Sequence, residues 1–99
     1  MSAAARLVLP VVVAAYRAGA MHDNLGDGRF QIFDAVDLRV VDGPRADRTI
    51  SVFVNARDSV AVARWNRPGL RLHVSIDADR LDSGHKLFAG ALRIEEEVA

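Results

Sequence analysis

From Phe30 to Val40 the chain alternates between apolar and polar positions. Phe30, Ile32, Val36, Leu38 and Val40 share one parity, while Gln31, Asp37 and Arg39 share the other. A period of two puts successive side chains on opposite faces, so this segment reads as a half-buried strand. Asp34 falls on the apolar parity, and a strand from about Gly28 to Val41 is unusually long. A bulge near Asp34, or strong curvature, is therefore expected. Turn residues follow from Asp42 to Asp47. Ile50, Val52 and Val54 then alternate with Thr49, Ser51 and Asn55, which predicts the hairpin partner. Asn66-Arg67-Pro68-Gly69 places Pro and Gly where a type II turn requires them. After it, Leu70, Leu72, Val74 and Ile76 alternate with Arg71, His73, Ser75 and Asp77 as a further strand.

The remaining segments are less regular. Arg6, the apolar run Leu7 to Ala15 and Ala18-Gly19-Ala20 imitate the three regions of a secretory signal. The run is only about nine residues, contains Pro10 and is flanked by Arg17, and Val11 to Val13 are β-branched. A buried first strand, with Pro10 at a bulge or an edge, is the preferred reading, and with it a cytoplasmic protein. Gly19 and then Asp23 to Gly28 read as a polar, glycine-rich loop. Asp58 to Trp65 fits a strand through Val60 and Val62, or a short helix capped by Asp58 or Ser59. Asp77 to Lys86 reads as a loop or a single helical turn around Leu81. Phe88, Leu92 and Ile94 mark a last strand, and Glu95-Glu96-Glu97 a solvated acidic end.

These elements predict one mainly β domain over residues 1–99, a small antiparallel barrel or sandwich of about five strands with at most one short helix. The architecture is similar to a five-stranded Greek-key barrel of the oligonucleotide-binding type, with a helix at about 58–65. That is a likeness of architecture, and architecture alone carries no function.

Composition narrows the chemistry more than it suggests any. At 99 residues the chain has room for one core, and 51% hydrophobic with 26% charged residues is ordinary for a folded domain. Thirteen basic residues balance thirteen acidic ones, so binding to nucleic acid needs a local patch rather than a global field. Twelve of the thirteen cations are arginine, whose planar guanidinium suits stacking and phosphate contacts. No cysteine is present, which removes disulfides and thiolate chemistry. No stretch approaches the apolar length of a membrane span. Gly26-Asp27-Gly28 lacks the context of a dinucleotide loop, and no Walker sequence or nucleophile elbow occurs. His22, His73 and His85 have no ligand or triad spacing, and Asp77-Ala78-Asp79 with Asp82 resembles a calcium loop only superficially. No catalytic residue, metal site or cofactor is expected.

The aromatic residues are the least ordinary feature. Phe33 and Phe53 lie on the polar parity of their strands, near Arg39 and Arg48, and Trp65 stands between Arg64 and Arg67. Together with Arg71 these residues predict a surface for single-stranded nucleic acid, bases stacking on the rings and phosphates meeting the arginines. The alternative is a structural or assembly protein whose outward aromatics bury against identical copies in a homo-oligomer. Exposure of Phe33, Phe53 and Trp65 in one groove separates the two.

Overall fold

The computed structural model describes residues 5–98. Six strands form one mixed sheet: β1 (Arg6–Gly26), β2 (Arg29–Val40), β3 (Thr49–Asn55), β4 (Arg71–Asp77), β5 (Leu87–Phe88) and β6 (Arg93–Val98). Their order is β5-β3-β2-β1-β4-β6. Helix α1 (Ser59–Trp65) follows β3, helix α2 (Ala78–Asp82) follows β4, and a 3-10 turn (Ala89–Ala91) separates β5 from β6. The chain is thus mainly β, and β2 and β3 pair antiparallel as the expected hairpin.

The closed antiparallel barrel is not what forms. The sheet stays open, and its β3–β5 contact is parallel. The expected last strand splits at Ala89–Ala91, sending β5 and β6 to opposite edges. A flat sheet of this order would hold those edges roughly 24 Å apart, at about 4.8 Å per strand. The link from Phe88 to Arg93 reaches at most about 18 Å. The sheet must therefore roll until its edges approach, and the 3-10 turn bridges the gap.

The concave face of the roll holds the core. Leu9, Val11 and Val13 of β1 pack with Val36, Leu38 and Val40 of β2, and with the apolar parities of β3 and β4. Trp65 from α1 and Leu81 from α2 close that layer. Asp58 resolves the ambiguous segment as helix, because its carboxylate accepts the Ala61 N–H at 3.0 Å and caps the first turn. Leu70 N–H donates to Arg67 C=O at 3.1 Å and Gly69 has φ of +89°, the expected type II turn.

Two expectations change. The loop assigned to Asp23–Gly28 is instead the end of a 21-residue strand, because Asp27 and Gly28, both at positive φ, turn β1 tightly into β2. Asp-Gly is a strong hairpin signal of its own. Pro10 lies in a central strand rather than at a bulge or edge. Its carbonyl accepts from Val41 N–H at the end of the β1–β2 ladder, so its missing N–H faces a side where the ladder has already stopped. Glu95 to Glu97 close the last strand, β6, which pairs with β4, and all three are exposed to solvent as expected.

Asp34 does mark a bulge, on the opposite strand. Between Arg17 and Met21, β1 spends four steps where β2 spends two from Ala35 to Phe33. The buried Asp34 carboxylate accepts from the Tyr16 hydroxyl at 2.6 Å and from Gly19 N–H at 2.9 Å. Gly19, at φ of +65°, bends the chain to deliver that amide.

Candidate functional site

Pairing places three phenyl rings on the convex face. Ala35 is opposite Phe53, Phe33 is opposite Asn55, and Phe53 is opposite Phe88 of β5. The Phe33 and Phe88 rings meet edge to face at 5.3 Å and 68°, and Phe53 and Phe88 are tilted at 5.9 Å and 44°. Such pairs add about 0.5–1.5 kcal/mol beyond burial. Phe33 is buried and Phe53 half-buried, whereas Phe88 remains 41% exposed.

Phe88 stands between two clefts. On one side, a cleft of about 370 Å³ is lined by Phe33, Phe53, Trp65 and Arg64. On the other, a cleft of about 500 Å³ is lined by Arg6, Arg80 and Arg93. A third, about 460 Å³, shares Arg64 and Trp65 with the first and Arg93 with the second. All three gather around the gap between the sheet edges, where the link from Phe88 to Arg93 replaces a strand contact.

Four arginines at the clefts have no acidic partner: among the described residues, no carboxylate lies within ion-pair distance of Arg6, Arg64, Arg80 or Arg93. The acids that border the clefts are engaged elsewhere. Asp58 caps α1, Asp77 accepts from Asp79 N–H, and Glu95 accepts the Ser75 hydroxyl at 2.6 Å. Arg6 in turn donates to the Ser75 hydroxyl and carbonyl.

The residues singled out from the sequence divide into two groups. Phe33, Phe53, Arg64 and Trp65 meet at one cleft, although Trp65 is only 2% exposed and belongs to the core, so it offers no open stacking face. Arg39, Arg48, Arg67 and Arg71 do not line it. Arg39 faces Asp47 at 3.8 Å, and Arg48 reaches Asp82 at 3.3 Å and the Leu81 carbonyl. Arg67 pairs with Glu97 of the acidic strand. Arg71 lies at the start of β4, opposite Val12 and Val98. The sequence reading missed Arg6, Arg80 and Arg93 because they come from three separate segments that only the rolled sheet brings together. Phe88 carried a weak signal, since its neighbour Leu87 is the buried residue of that strand.

Two further polar clusters close on themselves. Arg17 grips Asp37 through two bonds, at 3.0 and 3.1 Å, and Ser51 donates to the same carboxylate at 2.7 Å. Burial alone would raise the Asp37 pKa, but the Arg17 guanidinium and the Ser51 hydroxyl outweigh it and hold the carboxyl below its ordinary value. Burial, then the hydrogen bond to Asp34 and that carboxylate's charge, push the Tyr16 hydroxyl well above its usual range. Among the described residues, no group of three His, Asp or Glu side chains is placed to hold a metal ion, and no helix is long and apolar enough to cross a membrane. No family model, curated protein or solved structure matches this chain, so its reading rests on the site itself.

Proposed function

We propose that this chain is a non-enzymatic module that binds a single-stranded nucleic acid across Phe88, with one base on the phenyl face and flanking phosphates at Arg64 and Arg93. One observation carries this reading. An exposed ring stands between two clefts whose arginines have no carboxylate partner among the described residues. A phenyl face is sequence-tolerant, and a planar guanidinium meets a phosphate through two parallel bonds. With zero net charge the chain has no long-range field to draw a strand in, so binding depends on this patch and weakens steeply with salt.

The test is fluorescence anisotropy of a labelled oligothymidylate titrated with the protein at several salt concentrations. Phe88→Ala is expected to weaken binding roughly 5- to 150-fold, the loss of one stacked base. Arg64→Ala and Arg93→Ala are each expected to lower the salt slope by about 0.7, and Arg71→Ala, which lines none of the three clefts, to leave it unchanged. Absence of wild-type binding at low salt, or a Phe88→Ala variant that binds like the wild type, overturns the proposal.

A further inference from the structure

The positive charge around Phe88 is unevenly divided. In the cleft of about 370 Å³, Arg64 stands against the Asp58 carboxylate, so that side is balanced. In the cleft of about 500 Å³, Arg6, Arg80 and Arg93 stand against Asp77 alone, and three guanidiniums to one carboxylate leave two positive charges over. The sheet explains the crowding. Arg6 opens β1 opposite Asp77 of β4, and Arg93 opens β6 opposite Ser75 of β4. Ser75 and Asp77 are two positions apart, so all four side chains leave the sheet on one face. Arg80 joins them from α2, three residues beyond Asp77. One of the three is also fixed in place. The Ser75 hydroxyl gives its proton to Glu95, at 2.6 Å, and accepts from Arg6 Nη2 at 3.2 Å, while the Ser75 carbonyl accepts from the same nitrogen at 3.1 Å. Both bonds use Nη2, which leaves Nε and Nη1 of Arg6 to donate to a ligand. Holding the guanidinium beforehand spares part of the ordering cost of binding.

We infer that the cleft of Arg6, Arg80 and Arg93 is a subsite for a terminal phosphate monoester, so that the protein selects a phosphorylated end of the strand. A phosphodiester inside a strand carries one negative charge. A monoester carries about −1.5 to −2 at pH 7 and presents three strong acceptor oxygens. That matches three guanidiniums and the two charges left over, and guanidinium donors meet such oxygens in parallel pairs. Phe88 stands in the wall of the same cleft, and its ring offers a face to a base, which favours a nucleotide over a phosphorylated peptide. Gly90 borders both clefts and places no side chain between them, so the strand runs from the balanced cleft to the charged one. This inference rests on the stacking role given to Phe88 above and adds which part of the strand is bound.

The test compares three oligothymidylates of one length, labelled on an internal base: 5′-phosphorylated, 3′-phosphorylated and unphosphorylated. A phosphorylated strand is expected to bind about tenfold tighter than the unphosphorylated one, the worth of one hydrogen bond to a charged group. Comparing the two phosphorylated strands identifies the end. Arg80→Ala, at an exposed position of α2, should abolish the preference and leave the affinity for the unphosphorylated strand unchanged. Arg6→Ala should do the same, with circular dichroism checking that it folds, since Arg6 also ties β1 to β4. Arg71→Ala, which does not line this cleft, should keep the preference. Equal binding of all three strands overturns the inference and leaves the stacking role of Phe88 standing. A preference undiminished in Arg80→Ala overturns it as well, as does tighter binding by a phosphoserine peptide. If only phosphorylated strands bind and Phe88→Ala binds them like the wild type, the stacking role fails and the phosphate subsite stands. Absence of binding by all three strands at low salt overturns both.

Discussion

Trp65→Ala is expected to cost stability rather than affinity. The indole is 2% exposed and belongs to the hydrophobic core, anchoring α1 to the sheet. Truncating a core aromatic to alanine costs about 3–5 kcal/mol, the lost transfer energy plus the cavity left behind. A domain of this size has only about 5–15 kcal/mol in total. Each kcal/mol moves the melting midpoint by about 4–8 °C, so a fall of at least about 12 °C is expected. Urea unfolding followed by far-UV circular dichroism suits the measurement, since the variant has no tryptophan to follow. The midpoint should drop while the slope stays constant, which marks lost stability rather than a changed denatured state. Below its own transition, the folded variant should bind an oligonucleotide with close to wild-type affinity. Near-wild-type stability combined with lost binding would refute the reasoning and return Trp65 to the role of a stacking face.

Two further outcomes concern the Asp34 bulge. Tyr16 is the only tyrosine, so phenolate absorbance reports it alone, and it should not appear near pH 10, where an unperturbed phenol ionises. The folded pKa is raised, so the stabilising contribution is fully present below about pH 10 and is lost as pH rises through the higher folded value. Tyr16→Phe should flatten that alkaline limb of the stability curve. Asp34→Ala removes the acceptor of two bonds, and about 1–3 kcal/mol of stability should go with it. Hydrogen exchange at Gly19 N–H should then accelerate, and unchanged protection there would show that the bulge does not depend on the carboxylate.

The local elements were legible where chemistry repeats over short distances. Alternation at Val36 to Val40, Ile50 to Val54 and Leu72 to Ile76 identifies three strands and their buried faces, because a pleated backbone turns every second side chain the same way. Pro68-Gly69 specifies its turn through allowed dihedrals, and the misplaced Asp34 announces an irregularity. Asp27-Gly28 is equally legible as a hairpin turn, but the polar residues around it have the composition of a loop. In fact exposed strands are polar when nothing covers them.

What only the tertiary structure decided is which distant segments meet. No periodicity indicates that β5 and β6, two residues and six residues long, take opposite edges of the sheet, or that the roll brings those edges together. That closure assembles Arg6, Arg64, Arg80 and Arg93 around Phe88, and it converts Trp65, which looks like a stacking residue between two cations, into a core anchor. It likewise pairs Arg39, Arg48 and Arg67 with acids brought near by the fold. The amino-acid order determines strand periods, turns and caps because those depend on neighbours a few residues away. Burial of a ring and neutralisation of a charge depend on what the fold places beside them, and the order along the chain does not encode that locally.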